Sequence, residues 1–139
     1  MPWRPQGTYN EGGIMRVDSY LDTHHNGHME IRACVVDDTD ATSCTTPEEF
    51  EGNELHFVQD LIHPEAADAG HPSMYPDPMY PERGMYAGGQ GGATKNFSFE
   101  YRLPSGISGE KVLLQWKYIT ANSVSLYCVC LQLQCCVVF

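Results

Sequence analysis

Asn96-Phe97-Ser98-Phe99-Glu100-Tyr101-Arg102-Leu103 alternates strictly: Phe97, Phe99, Tyr101 and Leu103 fall on one side, Asn96, Ser98, Glu100 and Arg102 on the other. Side chains of an extended chain leave opposite faces at a period of two, so this stretch predicts a strand with one face in a core and one in water. Downstream, Val112, Leu114, Trp116 and Tyr118 oppose Lys111, Leu113, Gln115 and Lys117 in the same way. Leu103-Pro104-Ser105-Gly106 and Ser108-Gly109 break the chain between the two runs. Upstream, Met15, Val17, Ser19 and Leu21 alternate with Arg16, Asp18, Tyr20 and Asp22, and Met29, Ile31, Ala33 and Val35 alternate with His28, Glu30 and Arg32. Leu55-His56-Phe57-Val58 is a shorter candidate. The expected strands lie near 14–22, 28–36, 54–59, 96–103 and 111–120, with Phe97, Phe99, Leu114 and Trp116 in the core. No segment keeps apolar residues at helical spacing for several turns. The fold class expected is an all-β antiparallel sandwich.

Asn26-Gly27 lies between the first two runs, and both residue types tolerate positive φ, so a type I′ hairpin is expected there. Residues from about His63 to Gly92 form a Pro-, Gly- and Tyr-rich loop too long for a plain connector. A chain of 139 residues suits one domain, and 42 % hydrophobic with 19 % charged residues suits a folded one. The formal charge of −10 repels phosphate backbones and anionic lipid, which argues against nucleic-acid or membrane partners. Neither a membrane-spanning apolar run nor a signal peptide is visible in the sequence.

Cys34 closes the second run, and Cys44 follows across an acidic loop. A disulfide between them suits an oxidising compartment; two buried, unpaired thiols are the alternative. Asp37, Asp38 and Asp40 in that loop lack the Gly and Glu that an EF-hand calcium loop places at its sixth and twelfth positions. The eight Lys and Arg and eighteen Asp and Glu all precede Val124. The last stretch, 124–139, has no charge and holds Cys128, Cys130, Cys135 and Cys136. It reads as a buried final strand or a membrane-seeking tail, or else as intron read-through, since Val124-Ser125 is what an intron start of the form GTNAGY encodes.

Three of six histidines crowd one turn: His24, His25 and His28. Neutral imidazole is a common ligand for copper and zinc, but neighbours on a strand point to opposite faces. Spacing alone leaves a polar turn and a metal site both open. Asp22-Thr23-His24-His25-Asn26-Gly27-His28-Met29-Glu30-Ile31-Arg32-Ala33-Cys34 resembles the "ANHxGxFEFRxC" stretch of chitin-binding type-4 domains, the lytic polysaccharide monooxygenases. Tyr101-Arg102-Leu103-Pro104 and the run from Val112 to Ser123 resemble the family's "LPxG…VLLQWxYxTxNSC" block, and Tyr80-Pro81-Glu82-Arg83-Gly84-Met85-Tyr86 is similar to a loop of its algal and oomycete-type members.

The resemblance covers roughly residues 7 to 123. It implies an immunoglobulin- or fibronectin-like sandwich with an exposed copper site, secreted, acting on chitin, cellulose or a related polysaccharide, and monomeric. In the family, copper is held by an N-terminal His and an internal His; the internal ligand maps onto His25, while His24 and His28 inherit no ligand role. The pattern departs in three places: the chain opens with Met1-Pro2, Val124 stands where the family has Cys, and no later segment supplies the axial aromatic. The expectation is therefore a partial domain, 1–123, with a non-family tail, 124–139, weak or absent copper binding, and no catalytic side chain assigned. Tyr75, Tyr80 and Tyr86 are the candidate sugar contacts, with packing of the long loop as the alternative. Competing functions are a non-catalytic carbohydrate-binding module and a structural extracellular sandwich.

Overall fold

The structure is a computed structural model that describes residues 5–22, 25, 27–40, 42–63, 76–85, 96–120, 128–129 and 135–138. Its strands are β1 (Pro5–Thr8), β2 (Ile14–Tyr20), β3 (His28–Val35), β4 (His56–Asp60), β5 (Gly84–Met85), β6 (Asn96–Arg102), β7 (Val112–Ile119), β8 (Cys128–Val129) and β9 (Cys135–Val138). One sheet runs β1-β9-β7-β3-β5, with β8 also on β7; the other runs β2-β6-β4. The pairs are antiparallel except β1 with β9, which is parallel. Among the described residues there is no α-helix, only a 3₁₀ turn at Pro47–Phe50. The all-β sandwich expected from the alternation is what the chain forms.

The five expected strands all stand, each within a residue or two of its expected ends; β4 starts two residues later and runs one further than expected, to Asp60. Their apolar rows face one another across the core, where Met15, Met29, Ile31, Phe57, Phe97, Phe99, Tyr101 and Leu114 are buried. Phe57 meets Phe99 and Tyr101 edge-on at centroid distances of 5.3 and 5.8 Å, a geometry that places ring edges against ring faces. Trp116 departs from expectation: it packs against the core but is only partly buried, as suits an indole too large to be enclosed easily. Leu113 departs the other way. It belongs to the row expected in water, yet it is buried with Cys34, Cys44 and Phe50 in a second cluster. The 3₁₀ turn supplies Phe50 to cover that outer face of β3 and β7.

The hairpin expectation is corrected. β2 pairs with β6, while β3 pairs with β7 and β5, so β2 and β3 belong to different sheets. The chain thus passes from one sheet to the other between β2 and β3, a crossing we call the arch; of its described residues Leu21 is buried at the start and Gly27 stands at φ 88° near the end. A two-residue hairpin would set both apolar rows in one sheet; the crossing puts them in different sheets, and Met15, Met29 and Ile31 are buried in one core. Asn26 lies outside the described residues.

β1 and β5 were not expected as strands; β8 and β9 lie in 124–139, for which a final strand was one of the readings. β5 has two residues, inside the long loop, and pairs His28 with Met85 and Met29 with Gly84. It comes close to the other sheet: a Cβ on Gly84 would overlap the Tyr101 hydroxyl and lie 2.9 Å from Phe99 Cδ2. That hydroxyl donates to the carbonyl of Met29 at 3.0 Å, tying the two sheets together beneath β5. β9 carries 135–138 into the first sheet beside β7.

Candidate functional site

The arch brings His25 to the end of the sandwich where β2 stops, β3 begins and β7 ends. Its backbone N–H donates to the Tyr118 hydroxyl at 3.0 Å, and Tyr118 stands opposite Met29 in the β3–β7 ladder. Tyr118 is buried, and that burial pushes its phenol above its ordinary value, with the His25 bond acting in the opposite sense. A neutral hydroxyl is therefore the acceptor that pins the arch to β7. The His25 residue is half-buried.

His28 has a different task. Its Nε2 lies 3.0 Å from Glu30 Oε1, on the outer face of the first sheet. Arg32 approaches the other carboxylate oxygen at 3.5 Å and Lys117, paired with Glu30 across the ladder, at 3.9 Å; Arg32 also reaches Glu54 at 3.5 Å. Glu30 is buried, which alone would raise its pKa, but the His28 bond first and then the charges of Lys117, His28 and Arg32 hold it below the usual carboxylate value. A carboxylate with a depressed folded-state pKa adds stability above its unfolded pKa, and that stability is lost as pH falls through the folded value. The Glu30→Gln variant is thus expected to be less stable than the parent at pH 7, with the gap closing as pH falls below the ordinary carboxylate range. Urea unfolding of both proteins across pH 7 to 3 checks it; a gap that stays constant with pH would count against the network.

Copper needs several nitrogen donors converging on one point. Among the described residues, no group of three or more His, Cys, Asp or Glu is placed to hold a metal. His24 lies outside the described residues, and His28 Nε2 is engaged with Glu30. One imidazole does not by itself fit a tight copper site.

Of the three candidate tyrosines, Tyr75 and Tyr86 lie outside the described residues. Tyr80 is exposed, with the Arg83 guanidinium carbon 3.6 Å from its ring centroid. Cys34 and Cys44 form a disulfide, as expected. An Asp–His couple escaped the sequence reading. Asp60 Oδ1 accepts the backbone N–H groups of Ile62 and His63, and Asp60 Oδ2 lies 2.9 Å from His63 Nδ1. The three-residue spacing of Asp60 and His63 was its only signal.

Two sheets packed face to face, with a histidine-bearing arch closing one end, make this an all-β sandwich domain. The sequence model of the family described as "Lytic polysaccharide mono-oxygenase, cellulose-degrading" matches residues 1–133, and the chain belongs to that family. Its fold is similar to that of a lytic polysaccharide monooxygenase AA15 from Thermobia domestica in the Cu(I) state, with a TM-score of 0.60 and 16 % identity. The likeness covers 97 % of this chain and 64 % of that one, so the chain spans under two thirds of the length of the solved protein. No curated protein matches the sequence. The family is copper-dependent, acts on polysaccharides and is in general extracellular. No helix among the described residues is long and apolar enough to cross a membrane.

Proposed function

We propose that this chain is a secreted polysaccharide-binding domain of the copper-dependent oxidative type, with His25 as its copper-facing imidazole and chitin or cellulose as its class of substrate. The observation that carries the reading is the position of His25: it belongs to the stretch that resembles the family's ligand block, it stands at one end of the sandwich, and its N–H bond to the buried Tyr118 hydroxyl holds its backbone. Bound copper would supply redox chemistry at the glycosidic chain. The chain's own residues supply an imidazole on a backbone held by Tyr118, and the disulfide at Cys34 and Cys44 suits secretion. Tyr75, Tyr80 and Tyr86 are the proposed sugar contacts.

Calorimetry with Cu(II) tests the ligand assignment. The 139-residue chain is expected to bind weakly, because a single imidazole leaves most of the coordination sphere to water. A version of the domain that matures to a free N-terminal histidine is expected to bind at least about a hundredfold more tightly, a gain of about 2.7 kcal/mol or more. Within that version, His25→Ala should abolish the gain and His28→Ala should leave it in place. Tight binding that survives His25→Ala would move the assignment elsewhere. A binding module without catalysis is the second reading, favoured by the exposed and firmly held Tyr80; it predicts polysaccharide binding with no gain in copper affinity in the version with a free N-terminal histidine.

A further inference from the structure

We infer that Arg83 is the positioning residue of a sugar platform on Tyr80, and that the platform takes a neutral polysaccharide. The inference rests on the proposed function and adds to it a residue, a ring face and a charge class. Tyr80 is 39 % exposed, so part of its ring is open to solvent. The guanidinium carbon of Arg83 lies 3.6 Å from the ring centroid, over one face. A polymer can therefore stack only on the opposite face.

The segment that carries the pair is held at many points. The Tyr80 N–H donates to Asp77 O and the Arg83 N–H to Tyr80 O, both at 3.1 Å, so two turns follow one another with Tyr80 at their junction. Asp77 Oδ1 accepts the Met79 N–H at 2.8 Å. Pro78 and Pro81 fix φ on either side of Met79 and Tyr80. Pro81 O accepts the Phe57 N–H at 2.7 Å, which fastens the loop to β4, and Gly84 seats its far end over Phe99 and Tyr101. Glu82 stands 3.7 Å from Arg83 Nε and keeps the guanidinium's charge company without a hydrogen bond. Binding a ring already fixed in place costs less ordering entropy than catching a loose one. Tyr20 offers the contrast: it is more exposed, at 60 %, but stands in the outer row of β2, opposite Asn96.

Charge selects the ligand. The chain's formal charge of −10 disfavours polymers of acidic sugars. A cation already seated on the Tyr80 ring weakens the pull of the other face on a second cation, so the open face suits uncharged C–H groups, while the charge of −10 draws a polycation to the surface at large and not to this ring. What remains is a flat, uncharged sugar chain that sets C–H groups against the open face.

The test is depletion of the full chain from solution by microcrystalline cellulose, by chitin and by chitosan beads, with four variants in parallel. Tyr80→Ala is expected to weaken binding to the neutral polymers about tenfold. Arg83→Ala should weaken it severalfold, while Arg83→Lys, which keeps a cation on the ring, should recover most of the loss. Tyr20→Ala should bind as the parent does, and binding to chitosan, which the charge of −10 favours by itself, should be the same for the parent and Tyr80→Ala. Thermal unfolding confirms that each variant folds. Ring-proton shifts of Tyr80, identified by their loss in Tyr80→Ala, should move in Arg83→Ala before any sugar is added and should move in the parent on adding a soluble oligosaccharide. A parent that binds neither neutral polymer overturns the proposed function and this inference with it. Binding that survives Tyr80→Ala overturns the platform alone, and Arg83→Ala that matches the parent, in affinity and in Tyr80 shifts, overturns the positioning role. A loss of chitosan binding in Tyr80→Ala as large as its loss of chitin binding overturns the neutral class.

Discussion

Replacing Cys34 and Cys44 together with alanine is expected to cost about 3 kcal/mol of folding stability, the amount a cross-link closing a loop of this size withdraws from the unfolded chain's entropy. The bridge joins residues ten apart and holds the acidic loop against the outer face of β3 and β7. Two further features depend on it. Cys44 sits at φ 58°, in the left-handed region that residues other than glycine rarely occupy. It is kept there by the disulfide and by Glu49, whose carboxylate accepts the backbone N–H groups of Cys44 at 2.9 Å and of Thr45 and Thr46 at 2.8 Å. These bonds, led by the one from Thr46, lower the pKa of Glu49 and keep it ionised. Buried Phe50 and Leu113 pack on the same cystine, so its removal also loosens the cover over the sheet. Urea unfolding of the oxidised parent and of the double variant gives the difference; a loss under about 1 kcal/mol would mean that the loop holds its place without the bridge.

Gly84→Ala is expected to destabilise the sandwich by about 1–3 kcal/mol, toward the upper end because the colliding groups cannot swing away. The new methyl would overlap the Tyr101 hydroxyl and press on Phe99 at 2.9 Å, and both rings are fully buried. Moving Tyr101 would break its bond to Met29 O, and moving Phe99 would disturb its edge contact with Phe57. Tyr101→Phe removes the nearer obstacle, so in the Gly84→Ala background it should cost less than it does alone. A double-mutant cycle measured by denaturant unfolding reads that coupling directly. Simple additivity would show that β5 shifts bodily instead of straining the rings.

The readable part of this chain was the part where polar and apolar residues take turns. Phe97, Phe99 and Tyr101 against Ser98 and Glu100 announced β6, and Met15 and Val17 against Arg16 and Asp18 announced β2. Alternation reports that a strand is half-buried; it does not report which strand lies beside it. Asn26-Gly27 therefore suggested a hairpin where the chain crosses between sheets. Leu113 and Glu30 were assigned to water because their neighbours faced the core, but both faces of β3 and β7 are covered, one of them by residues contributed from elsewhere in the chain. β5 was invisible since two residues have no period. Cys34 and Cys44 were legible from spacing and surroundings. The ligand role proposed for His25 rests on its resemblance to a ligand block, and its bond to Tyr118 could not be read, because it joins residues from distant parts of the sequence. Tyr80 was noticed as an aromatic, whereas its stacking on Arg83 needed the two turns that fold one over the other.

The crossing of the chain at the arch also sets a timetable. β2 finds its partner only in β6, and β3 its partner in β7, so each main ladder joins residues roughly 80 positions apart. A sandwich dominated by such pairings folds in roughly milliseconds to seconds once the whole chain is available. During synthesis at roughly 5–20 residues per second, β2 waits roughly 4–16 s before β6 emerges. For that interval β2 has no ladder partner; when β6 emerges, Phe97, Phe99 and Tyr101 meet β2 and β4, both already synthesised, and β3 waits in turn for β7. The loop from Cys34 to Cys44 is the exception, since it can close by itself as soon as both thiols reach an oxidising compartment. Yield of soluble protein is thus governed by how long the newborn chain is shielded, more than by the stability it finally attains.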